Sequence, residues 1–149
     1  MAPIIIIFGI ILADQAVKLL IRSKLALGQS VPVIHDFFNI TYIRNTGTAF
    51  SMFENNLWIT LGLTTVLIVV CLLFMLHEWK KGSKFLALSL AMILGGGLAN
   101  MVDRVFIGYV TDMFAFGNFA IFNVADIFVC MGCALAIIAV FFGDRKKSK

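Results

Sequence analysis

At 149 residues, with 61% hydrophobic and 13% charged residues and a mean hydropathy of +1.01, the chain is too apolar for a soluble globular domain and reads as one integral membrane domain, residues 1–149. Its net charge of +4 is scattered, with no concentrated basic patch, which argues against nucleic acid as a partner. Backbone groups in lipid must be satisfied within helices or a closed barrel, and the long apolar runs select helices.

Four stretches match the roughly 20 residues needed to cross about 30 Å of hydrocarbon. They are approximately Ile4 to Arg22, Leu57 to His77, Phe85 to Ile107 and Ile121 to Phe142. The first lacks the basic start and small-residue cleavage site of a removable leader, so it is expected to be retained as a span. Lys80, Lys81 and Lys84 follow the second span, and Arg145, Lys146, Lys147 and Lys149 follow the fourth. Cations of this kind mark the cytoplasmic side, so both termini are expected there, with residues 23–56 and 108–120 outside. Lys18, Arg22, Lys24, Arg44 and Arg104 gather toward the outer side and weigh against this orientation, although several belong to polar motifs that give them a separate reason.

The first span is interrupted by Asp14-Gln15-Ala16-Val17-Lys18. Asp14 and Lys18 are four apart, share a helix face and can form an ion pair within the helix; alternatively that face lines a polar pocket. The loop after it is rich in strand formers, Val31, Val33, Phe38, Ile40, Tyr42 and Ile43, with Pro32 suited to an edge. A small antiparallel sheet on the membrane surface is expected, closed by Arg44-Asn45-Thr46-Gly47-Thr48-Ala49-Phe50. Gly47 suits a backbone turn, and Asn45 offers a donor and an acceptor to a substrate backbone.

The second span has Trp58 and Trp79 near its ends and no acid inside, which fits a packing helix with interfacial aromatics. His35 and His77 fall on opposite sides of the membrane, so a two-histidine metal site is not expected. Cys71, Cys130 and Cys133 lie in spans as small apolar fillers, and Cys130-x-x-Cys133 has no second ligand pair. The third span carries Gly95-Gly96-Gly97, which allows close helix approach, and then Asn100, Asp103 and Arg104. With Gly96 these form a polar stripe by helical spacing.

Residues 110–126, VTDMFAFGNFAIFNVAD, hold two aspartates in this apolar setting. A carboxylate near hydrocarbon costs roughly 2.5 kcal/mol or more, so Asp112 and Asp126 call for a reason. Gly117-Asn118 is a good two-residue hairpin turn between Phe114-Ala115-Phe116 and Phe119-Ala120-Ile121. Pairing across it sets Phe116 against Phe119 and Asp112 against Asn123. A short helix or a re-entrant segment fits the same residues. Asn123 is a good N-cap for a following helix, which carries Asp126 on the same face at the positive end of its dipole. Both carboxylates then meet, with Asp103 a rival for the same role.

With these motifs in place, the chain resembles the bacterial lipoprotein signal peptidases, or signal peptidase II. The match runs in order through DQAVK at 14–18, RNTGTAF at 44–50, GGGLANMVDR at 95–104, YVTD at 109–112 and FNVAD at 122–126. Thr48, Ala99 and Ile127 depart from the commoner residues without touching either aspartate. The resemblance implies four transmembrane helices with a small extracytoplasmic sheet and a short helix between the first two. It implies an aspartic endopeptidase of the cytoplasmic membrane, active toward its outer face, that cuts lipidated prolipoproteins before the diacylglyceryl-modified cysteine. The catalytic pair maps onto Asp112 and Asp126, and a polar substrate pocket onto Asp14, Asn45, Gly47, Asn100, Arg104, Asn123 and Ala125. Lys18, on the face of Asp14, joins that pocket.

Two carboxyl groups at close range cannot both ionise cheaply, so one keeps a proton while the other activates water. Asp126, at the helix terminus, is the expected base. Asn45, Asn100, Asn123 and Arg104 would hold the peptide and the developing oxyanion, with membrane lipid around the substrate's acyl chains. A monomer without metal or cofactor is expected. The competing readings are an ion-coupled transporter subunit, for which intramembrane acids are equally natural, and a noncatalytic membrane protein whose polar cluster only holds the bundle together.

Overall fold

The computed structural model describes residues 1–35, 37–47, 57–117 and 120–143. Four helices, α1 (Ala2–Lys24), α2 (Leu57–Lys81), α3 (Lys84–Ile107) and α4 (Val124–Gly143), are long and apolar enough to cross a membrane. Strands β1 (Ser30–Ile34) and β2 (Phe38–Asn45) follow α1, and β3 (Val110–Phe116) and β4 (Ala120–Phe122) follow α3. The first three spans run slightly beyond their expected ends. The fourth starts at Val124, not Ile121, because Ala120–Phe122 pair as a strand and Asn123 caps the helix. Between the first two spans the described residues contain no helix. Residues 48–56, with Thr48, Ala49 and Phe50 of the RNTGTAF motif, lie outside the described residues.

Helix α3 is the post of the bundle. Its most apolar stretch is 50% buried, against 22% in α1 and 11% in α2 and α4, and it packs against all three. On the α2 side, Met75, Ala87, Leu90, Ala91 and Leu94 form a close-packed core. On the α4 side the contact is made by missing side chains. A Cβ on Gly96 would strike the Ala125 carbonyl oxygen and lie 2.6 Å from Val129 Cγ2. The two backbones therefore touch at the level where α4 begins.

The sheet is antiparallel throughout, in the order β1-β2-β3-β4. It is larger than the sequence suggests, because the loop after α1 and the hairpin after α3 join through β2 and β3. Gly108, in the left-handed region at φ 80, ends α3, so β3 starts almost at once and lies over the helix ends with Val110, Thr111, Asp112 and Met113 all buried. Glycine reaches that conformation without strain.

The hairpin exists, but the expected register is off by one. Phe116 pairs with Ala120 and Phe114 with Phe122, so residues 117–119 connect the strands, of which Asn118 and Phe119 lie outside the described residues. With one more residue in the connection, Asn123 falls past the ladder and does not pair with Asp112.

A second irregularity decides what Asp112 meets. Ile40 pairs with Phe114 and Ile43 with Asp112, so Thr41 and Tyr42 together oppose Met113. This bulge shifts β2 by one residue, and a one-residue shift moves side chains to the other face. Asn45 thereby becomes a diagonal neighbour on the Asp112 face. Without the bulge that place would fall to Arg44.

Gly96→Ala is expected to cost roughly 1–3 kcal/mol through overpacking and to lower the unfolding temperature in detergent. Gly97→Ala, whose added carbon would meet nothing closer than 3.6 Å, is expected to leave it unchanged.

Candidate active site

Asp112 comes from the middle of β3 and is 3% exposed; Asp126 comes from the first turn of α4 and is half-buried. Asn123 ties them together. Its Nδ2 donates to Asp112 Oδ1 at 2.7 Å, and its Oδ1 accepts the Asp126 backbone N–H at 3.0 Å. Asp126 Oδ2 in turn accepts the Asn123 backbone N–H at 3.2 Å. This reciprocal pair is a capping box, so the start of α4 and the site share the same atoms. The expected meeting of Asp112 with Asn123 is thus present, made by the side chain instead of the strand ladder.

Two further asparagines complete the surroundings. Asn45 Nδ2 donates to Asp112 Oδ2 at 3.0 Å, and Asn100 Nδ2 donates to Asp126 Oδ1 at 2.8 Å. Among the described residues, Asn45, Asn100, Arg104, Val110, Asp112, Ile121, Asn123 and Asp126 line one cavity of about 210 Å³. Both carboxyl groups therefore reach one partly open space large enough for several waters or a peptide unit. Burial pushes the Asp112 carboxyl up to about 6, against the pull of the Asn45 and Asn123 amides and with the charge of Asp126 adding to the rise.

Behind this cavity lies a second, fully buried polar layer. Asp14 and Lys18 are both 0% exposed and form the expected ion pair at 2.8 Å. Lys18 Nζ also reaches Asp103 Oδ2 at 3.1 Å and donates to Asn100 Oδ1 at 2.9 Å. Asp14 Oδ1 accepts the Ala125 backbone N–H at 2.9 Å. The Asp14 and Lys18 face of α1 backs the cavity without lining it. Asp103 also turns away, toward Gln15, Arg22 and the Thr111 backbone N–H. Helical spacing explains this: Arg104 follows Asn100 by just over one turn, whereas Asp103 falls to the α1 side of both.

Arg104 Nη2 donates to the Gly47 carbonyl at 3.2 Å, which fixes the chain leaving β2 at the cavity edge. Gly47 and Ala125 act here through their backbones, and neither lines the cavity. Gln15, Arg22, Thr111, Val110 and Ile121 take part in the two layers, although the sequence assigned none of them to the site. Gln15 and Thr111 belong to the DQAVK and YVTD motifs, but the helical or strand face that joins them to Asp103 needs the third dimension. Among the described residues, no group of three or more His, Cys, Asp or Glu is placed to hold a metal ion.

A family model described as "Signal peptidase (SPase) II" matches residues 6–142. The lipoprotein signal peptidase of Halothermothrix orenii is 37% identical over 141 residues, covering 95% of this chain and 96% of its own length. That of Lactococcus lactis subsp. cremoris is 40% identical over 147 residues, covering 97% and 95%. A solved structure described as a bacterial membrane enzyme, determined by the in meso method at 2.3 Å resolution, is similar with a TM-score of 0.83 at 28% identity, over 99% of this chain and 92% of that one.

Asn123→Ala removes the cap and leaves Asp112 short of a donor, and is expected to cost about 1–2 kcal/mol. Asn123→Ser keeps a capping oxygen and is expected to recover most of the thermal stability measured in detergent.

Proposed function

The chain belongs to the signal peptidase II family and is an aspartic endopeptidase acting on lipoprotein signal peptides, and on that premise we propose that Asp112 and Asp126 are its catalytic pair. The observation that carries this reading is that both carboxyl groups line one cavity, bridged by Asn123. Asp112, buried and with its pKa raised to about 6, is the acid. Asp126, which accepts two N–H donors at the positive end of α4, is the base.

In the proposed reaction Asp126 takes a proton from water as the water oxygen bonds to the scissile carbonyl carbon. Asp112 delivers its proton to the carbonyl oxygen. On collapse of the tetrahedral diol the peptide bond before the diacylglyceryl-modified cysteine breaks, and Asp126 passes the proton it took from water to the leaving amine nitrogen. Asp112 takes back a proton from a diol hydroxyl, which restores the singly protonated pair. Arg104, the one cation lining the cavity among the described residues, supports the developing oxyanion. Asn45, Asn100 and Asn123 have amide hydrogens on the carboxyl groups and hold the pair in place. Asp14, Lys18, Gly47 and Ala125 serve the substrate pocket from behind by fixing those asparagines and the start of α4.

The lipidated prolipoprotein reaches the site from the membrane, where each buried CH₂ of its acyl chains contributes about 0.8 kcal/mol. The enzyme is a multi-pass bacterial membrane protein, and we place both termini in the cytoplasm and the site toward the outer face, working as a monomer. A cytoplasmic reporter fused to the tail after Lys149 is expected to be active, and a periplasmic one inactive.

Asp112→Asn and Asp126→Asn are each expected to lower cleavage of a diacylglyceryl-cysteine signal peptide roughly 100- to 10,000-fold, with thermal unfolding retained. Near-normal turnover in either would overturn the assignment. Because the acid form of Asp112 is required and is lost as pH rises through its pKa, kcat/KM is expected to fall tenfold per unit above about 6. Asn45 holds that pKa down, so Asn45→Ala is expected to move the falling limb to higher pH.

A further inference from the structure

Each asparagine of the site has its carbonyl oxygen engaged by a fixed donor, which leaves its amide nitrogen to face a carboxyl group. Asn45 Oδ1 accepts the Gly47 backbone N–H, and Asn45 Nδ2 faces Asp112. Asn123 Oδ1 accepts the Asp126 backbone N–H, and Asn123 Nδ2 faces Asp112. For Asn100 the oxygen is engaged by Lys18 Nζ at 2.9 Å and by Asn123 Nδ2 at 3.1 Å, and Asn100 Nδ2 faces Asp126. Two of these orientations are therefore set by the main chain. The third is set by two side chains, Asn123 and the charged Lys18, of which Lys18 makes the shorter contact.

The ammonium of Lys18 has three hydrogens, matched to Asp14, Asp103 and Asn100 with no exposure to solvent. Pairing with two carboxylates already compensates its charge, so the third hydrogen is free to orient an amide. Turning Asn100 over would set its nitrogen against two donors and its oxygen against a carboxylate, losing every hydrogen bond of that amide.

We infer that Lys18 is a positioning residue for the catalytic pair: by holding the Asn100 carbonyl oxygen, it commits the Asn100 amide hydrogens to Asp126. This rests on the roles proposed above for Asp112 and Asp126. It gives the buried layer behind the cavity a part in turnover beyond holding α1 to α3.

The test uses the full-length enzyme in detergent with a labelled diacylglyceryl-cysteine signal peptide. Lys18→Met is expected to lower kcat roughly 10- to 100-fold with KM unchanged, and Lys18→Arg to restore part of the loss. Placed on Asn100→Ala, Lys18→Met is expected to cause no further loss, because the group it acts through is gone. The pair Lys18→Met with Asp103→Asn removes one charge of each sign and keeps an acceptor for the Thr111 N–H. It is expected to show the same loss, and the same lack of effect on Asn100→Ala, should the single variant fail to fold. Equal losses with and without Asn100, or wild-type turnover in the charge-balanced pair, overturn the inference. Asp126→Asn run alongside separates the two levels: if it cleaves normally the catalytic assignment fails, whereas the Lys18 results alone leave that assignment standing.

Discussion

The backbone of Ala125 is hemmed in on both sides, at its N–H and at its carbonyl. Its N–H donates to Asp14 on α1, and its carbonyl oxygen lies where a side chain on Gly96 of α3 would be. A helix starting inside an apolar bundle leaves N–H groups that no water can satisfy. Asn123 Oδ1 takes the Asp126 N–H and Asp14 takes that of Ala125. The need to satisfy these groups explains why an aspartate is buried in α1 at all. It also fixes Asp126, the next residue, relative to Asn100 one turn beyond Gly96.

From that fixed point the two carboxyl groups receive different surroundings. Asp112 stands on a buried strand that only the β2 bulge brings next to Asn45. Its two amide donors favour the carboxylate, but desolvation is the larger effect and raises its pKa. Asp126 sits in the first turn of a helix, partly open to the cavity, with a main-chain donor and an amide donor. Two identical side chains are thereby separated in character by a strand and a helix terminus, as the proposed acid and base roles require.

Much of this was legible in the chain because it rests on local rules. Apolar run length fixed the spans, Asn123 before Asp126 announced a capped helix, and Asp14 with Lys18 announced an intrahelical pair. The misses share a cause: they depend on where separate segments meet. A one-residue change in the hairpin connection displaced Asn123 from the ladder, and nothing near Thr41 and Tyr42 signals the bulge opposite Met113. The joining of two loops into one sheet is likewise a non-local choice. That Asp103 turns to Lys18, Gln15 and Arg22 of α1 is also a matter of which helix faces meet.

Charge balance then links the two layers to the chemistry. Asp14, Asp103, Asp112 and Asp126 stand against Lys18, Arg22 and Arg104, with Arg104 in the fields of Asp126, Asp112 and Asp103 and Arg22 3.6 Å from Asp103. Were every acid ionised, this largely buried set would carry one uncompensated negative charge, which is costly where water is scarce. A single added proton makes it neutral. Asp14 and Asp103 each hold the Lys18 ammonium and a main-chain N–H. Asp112 is buried, its nearest hydrogen-bond partners are uncharged asparagines, and burial raises its pKa to about 6. That charge count is compatible with the singly protonated state that the proposed catalytic pair needs.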